Sequence, residues 1–157
     1  MTAPTFHVVN ALPPVADFYS GGAGAFDTDI ISPRGSGVLF VIQSGATAGA
    51  AVNTITVEAC STIAAAATTT IPFVYRQCVA TDVWGEWTAA TTAGFSATNT
   101  VAHSMWQIWV EPAEIAETGC EFVRLSGDET GDFAVVGGIL AIVLDPRFAP
   151  TSETMLT

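Results

Sequence analysis

Lysine is absent from this 157-residue chain, and positive charge is limited to four arginines: Arg34, Arg76, Arg124 and Arg147. Against them stand 15 acidic residues, which leaves a formal net charge of −11. Nucleic-acid backbones and grooves are bound through clustered cations, so this balance argues against DNA or RNA as a direct partner. Cysteine is also scarce. Cys60, Cys78 and Cys120 are an odd number without CxxC spacing, which argues against a disulfide framework or a structural zinc site. They are expected to be buried, reduced thiols in a protein made in a reducing cytosol. No segment approaches the roughly 18 consecutive apolar residues of a membrane helix. The apolar run at residues 135–144 is too short and contains the pair Gly137-Gly138. The N-terminus has no basic segment leading into an apolar one, so no secretory signal is expected.

The sequence does contain apolar and β-branched residues in short runs. Half the chain is hydrophobic and only 12% is charged, enough apolar material to build one domain with a real core. The clearest runs are residues 38–42, 54–60, 71–76, 105–110 and 138–144, separated by Gly-, Ala- and Thr-rich breaks. Runs of this length bounded by turn formers read as strands. Residues 38–42 are apolar on both faces, as in a strand covered on both sides. In residues 54–60, Ile55, Val57 and Ala59 alternate with Thr54, Thr56 and Glu58, the pattern of a half-buried antiparallel strand. In residues 105–110, Trp106, Ile108 and Val110 point one way and Met105, Gln107 and Trp109 the other.

Other segments are assigned by their punctuation. Residues 25–32 read as an edge strand, residues 45–53 and 61–70 as connections, and residues 122–125 as a short strand followed by an acidic turn at 127–132. Pro72 suggests an edge or a bulge at the start of its run. Residues 112–119 form the one helical candidate, opened by proline, closed by glycine and acidic in its first turn. The fold class predicted is all-β, a β-sandwich or small antiparallel barrel with one short helix and extended terminal arms. Residues 1–24 form the N-terminal arm in this reading, with a short strand at 6–9. Residues 25–144 form the sandwich, and residues 145–157 a C-terminal tail.

No residue pattern calls for catalysis, so the chain is read as a non-enzyme without cofactor or metal. His7 and His103 lack metal-ligand spacing. Ser36 lacks the GxSxG context of a hydrolase nucleophile. The glycines at 21–24 precede no phosphate-binding helix. The acids at 128–132 lack EF-hand spacing and read as a solvated hairpin tip. Glu111, Glu114, Glu117 and Glu121 read as a solvated face, because neighbours on a two-turn helix seldom flank a glycosidic bond. The four tryptophans stand apart: Trp84, Trp87, Trp106 and Trp109 form two pairs, each spaced by three residues. If Trp106 faces the core, Trp109 faces away, which suits a subunit contact or a sugar platform; all four could equally be core or lid residues.

The order of the runs FVIQSG (residues 40–45), NTITVEAC (53–60), IPFVYR (71–76), WGEWT (84–88), AGF (93–95) and the segment 107–115 resembles a group of small structural proteins of tailed bacteriophages. These proteins are encoded among head genes and decorate or cement the capsid. The resemblance spans residues 25–144 and implies a β-rich, non-catalytic protein on the capsid exterior. It further implies the major capsid protein as partner, with copies arranged as a homotrimer at three-fold positions. Contact with the shell or between subunits is expected at Phe6, Arg34, Trp84, Trp109, Arg147 and Phe148. Loop arginines are favoured because the guanidinium fork matches carboxylates. Two other readings are open: a carbohydrate- or receptor-binding sandwich using Trp84 or Trp109, and a tail-tube or head–tail connector component.

Overall fold

The computed structural model describes residues 6–15, 25–33, 37–45, 51–81, 83–99, 104–131, 135–144 and 154–155. In chain order the strands are β1 (Phe6–Val15), β2 (Phe26–Asp27), β3 (Ile30–Ile31), β4 (Val38–Ser44), β5 (Ala51–Cys60) and β6 (Thr68–Ile71). Then come β7 (Phe73–Ala80), β8 (Val83–Trp84), β9 (Thr88–Ala90), β10 (Phe95–Asn99) and β11 (Met105–Val110). The helix α1 (Pro112–Glu117) precedes β12 (Phe122–Gly131), β13 (Gly137–Leu144) and β14 (Thr154–Met155). The fold is all-β and sandwich-like, with two antiparallel sheets that do not close into a barrel.

The first sheet runs β1-β13-β4-β11-β7-β8, with β9 also on β7; the second runs β10-β5-β12-β3-β14, with β2 on β12 and β6 on β5. Period-two alternation sets which side chains fill the space between them. From the first sheet come Phe40, Ile42, Trp106, Ile108 and Ile139, and from the second Ile55, Val57, Val123 and Leu125, all essentially inaccessible to solvent. Tyr75 of β7 stacks on Phe95 of β10 with ring centroids 3.9 Å apart, joining the layers. A polar seam joins them as well. The Asn99 amide donates to Ser44 Oγ at 3.1 Å and to the Gly45 carbonyl at 2.7 Å, and Ser104 Oγ donates to Asn99 Oδ1 at 2.8 Å.

Several sequence expectations need correction. The N-terminal arm is not outside the sandwich: Phe6–Val15 is a ten-residue edge strand paired with β13, in place of a short strand at 6–9. Its prolines are tolerated because an edge strand leaves one row of N–H groups unpaired. The C-terminal segment contributes Thr154–Met155, paired with β3. The single edge strand expected at 25–32 is two short pieces, both paired with β12. The run at 71–76 is split at Pro72, where the chain passes from the second sheet (Ile71 opposite Val57) to the first (Phe73 opposite Ala90). Proline has no ladder hydrogen to lose at that crossing.

The connection expected at 61–70 ends early, because Thr68–Ile71 pairs with β5. The short strand at 122–125 extends to Gly131, and the expected acidic turn through Asp128 and Glu129 lies on the ladder opposite Thr54 and Asn53. Gly137 and Gly138 begin β13 and do not break it. Gly94 and Gly37 are each required by geometry. Gly94 has φ +78° in the turn between β9 and β10, and a Cβ there would lie 2.2 Å from the Ile55 carbonyl oxygen. At Gly37 the space a Cβ would take is filled by the Trp109 ring.

Candidate functional site

The outer faces of the two sheets differ in chemistry. On the second, Thr54, Thr56 and Glu58 of β5 lie beside Arg124 and Ser126 of β12, and Arg124 is paired with Glu58 and Asp27, each at 2.8 Å. On the first, the ladder aligns apolar side chains in rows. Phe6 sits opposite Leu144. The next row runs Val8–Ile142–Leu39–Trp109–Val74. After it comes Asn10–Leu140–Val41–Gln107–Arg76. A fourth row, Gly138–Gln43–Met105, is mixed, with no side chain at one end, a polar one in the middle and an apolar one at the other end.

Four of the exposed large hydrophobics fall on this side, and four more lie elsewhere along the same sheet. Phe6, Val8, Leu140 and Leu144 are 50%, 48%, 45% and 37% exposed on β1 and β13. Val79, Val83, Trp87 and Val136 belong to β7, β8 and the segments flanking β8 and β13. None of these eight lies in the second sheet. Single exposed apolar residues are ordinary, whereas a contiguous patch marks an interaction surface. At its lower end, where Gly138 has no side chain, a depression of about 310 Å³ is lined by Asn10, Val41, Gln43, Val136 and Leu140.

The far edge of this face holds a cation, Arg76. The Arg76 guanidinium lies 5.0 Å from the Trp84 ring centroid and 4.6 Å from that of Trp87, and its Nε donates to Gln107 Oε1 at 2.8 Å. Among the described residues no carboxylate pairs with Arg76. Cation–π contacts on two indoles fix the guanidinium and tie the β8–β9 segment to the sheet. Trp109 lies over the Gly37 backbone, and its Nε1 donates to Glu111 Oε1 at 2.8 Å.

Three of the six expected contact residues, Phe6, Trp84 and Trp109, are thus brought to this one face. Arg34, Arg147 and Phe148 lie outside the described residues, as do Ser36, His103, Asp132 and the glycines at 21–24. Sequence reading missed Val8, Leu140 and Ile142, whose shared face appears only once β1 is placed on β13, and Arg76, whose setting depends on two separate tryptophans. Alternation did signal Trp109.

Of the three free cysteines only Cys60 is buried; Cys78 and Cys120 are half-buried, so the expectation of three buried thiols is corrected. Burial pushes the Cys60 thiol up to about 11 despite the nearby Arg124, so at neutral pH it is protonated and a poor nucleophile. Among the described residues no three His, Cys, Asp or Glu side chains converge as metal ligands, and no helix is long and apolar enough to cross a membrane. Comparison with protein-family models, curated proteins and solved structures finds no match to this chain.

Proposed function

We propose that this chain is a structural virion protein of the decoration class, made in the host cytoplasm and carried on the capsid exterior. It associates with copies of itself and with the major capsid protein of an assembled phage head, and so stabilises the shell without bond-making chemistry. The observation that carries this reading is the outer face of the first sheet, a largely apolar surface that carries Arg76 at its far edge and is bordered by Glu111 beside Trp109. Such a face functions by being covered. The strand order in sequence, with its resemblance to phage head proteins, supplies the setting.

Stabilisation follows from mass action: a protein that binds the assembled shell and not its free subunits shifts the balance toward the shell. Many copies on one lattice act together through multivalency. The sugar-binding alternative has less support, because Trp84 and Trp87 each give a ring face to Arg76. Purified protein mixed with expanded, DNA-filled heads that lack it tests the proposal. Saturable co-sedimentation at a fixed ratio, with DNA release moved to higher temperature, is expected. Heads that sediment without the protein would rule the reading out.

A further inference from the structure

The geometry points to a second copy of this chain as the occupant of the first sheet's outer face, with the two sheets packed face to face about a two-fold axis. This rests on the reading of the chain as an assembly protein and adds which surface joins which. Size is the first argument. The five strands from β1 to β7 span about 24 Å across and ~20 Å along, a flat area of roughly 500 Å² before side-chain relief. Corrugation brings the accessible area toward the ~800 Å² per partner that stable interfaces bury.

Charge is the second. Each copy carries −11, so pairing through an acidic surface would be opposed by like-charge repulsion. Several acids lie elsewhere, Asp27, Glu58 and Asp128 on the second sheet and Glu114 and Glu117 on the helix, while Glu111 borders the first face at Trp109 and Glu86 lies between Trp84 and Trp87 in the chain. Pairing through the first sheet brings together two largely apolar surfaces, each with Arg76 at one edge and Glu111 beside Trp109, and holds the carboxylates of the second sheet and the helix on the far sides of the pair.

Shape is the third. Sheets pack face to face about 10 Å apart with strands inclined by roughly 30°, their side chains interdigitating. A two-fold axis near β4, the middle strand of the five, makes one surface its own complement. Leu39 and Trp109 of each copy then meet the same row of the other. This differs from the three-fold arrangement that the resemblance implies.

Sedimentation equilibrium of the full chain, from submicromolar to high micromolar concentration, tests the pairing. A species of twice the 16.2 kDa chain mass is expected. Leu140→Glu and Val8→Glu alter half-exposed side chains, so each variant keeps the parent circular dichroism spectrum and, at concentrations where both are monomeric, its urea midpoint. Each is expected to raise the dimer dissociation constant about a hundredfold or more, by placing a charge where an apolar side chain was buried. Ser96→Glu on the second sheet should leave it within about twofold, since surface changes outside an interface are nearly neutral. A monomer throughout, a trimer, or a dimer unaffected by Leu140→Glu and Val8→Glu would overturn the inference. No shell is present in this measurement, so its failure is separate from failure of the head-binding assay.

Discussion

Asn99→Ala removes the keystone of the polar seam between the two sheets. The side chain is fully buried and makes three hydrogen bonds, to Ser44 Oγ, the Gly45 carbonyl and Ser104 Oγ. Each is worth roughly 1 kcal/mol net, and a buried group left without a partner costs about 1–3 kcal/mol in addition. Ser44 keeps its bond to the Ser104 carbonyl at 3.2 Å, so the group most exposed to that penalty is the Gly45 carbonyl. The expected loss is about 4 kcal/mol, a large part of the 5–15 kcal/mol typical of a domain. Equilibrium urea unfolding at one fixed protein concentration measures it, because self-association would make the midpoint concentration-dependent. Asn99→Asp keeps the acceptor for Ser104 but loses both donations and buries a charge, so it should be no better than alanine. A loss below about 1 kcal/mol for alanine, with native circular dichroism, would refute the seam as a link between sheets.

Gly94→Ala forces a side chain onto a positive φ and against the Ile55 backbone, and should cost about 2 kcal/mol or more by the same unfolding assay. Alkaline pH should weaken the fold through Cys60. Its folded value of about 11 exceeds the ordinary 9.0, so its share of stability is intact below pH 9.0 and is lost as pH rises toward about 11. Cys60→Ala should flatten that limb of the stability–pH curve, although the shorter side chain lowers stability at every pH. At neutral pH Cys60 should also react with iodoacetamide far more slowly than a free thiol, as mass spectrometry of labelled peptides would report.

Much of the sandwich was legible in local pattern. The strand at Met105–Val110 has the bounds its alternation predicts, and Trp106 and Trp109 point in opposite directions as period two requires. The helix begins at Pro112 and is followed by Gly119 at φ +73°, as its punctuation indicates. What failed was whatever depended on a distant partner. Asp128 and Glu129 look like a turn by composition, yet β5 supplies the ladder that extends them. Pro13 and Pro14 look like a loose arm, yet the edge of β13 accepts them.

The candidate face shows the same division. Each outward residue is predictable within its own strand, but Phe6, Leu140, Leu39 and Trp109 become neighbours only through the order β1-β13-β4-β11. That order joins the N-terminal strand to one near the C-terminus. No local window in the sequence contains such a pairing.

The central claim is that the first sheet's outer face is covered when the protein works. Hydroxyl-radical footprinting read by mass spectrometry tests it most directly, comparing dilute free protein with protein bound to heads. The account predicts that Phe6, Val8 and Leu140 are oxidised in the dilute protein and protected in the assembly, while Thr68, Thr69 and Thr70 of the second sheet react alike in both. Unchanged oxidation of Phe6, Val8 and Leu140 alongside protection of β6 would contradict it.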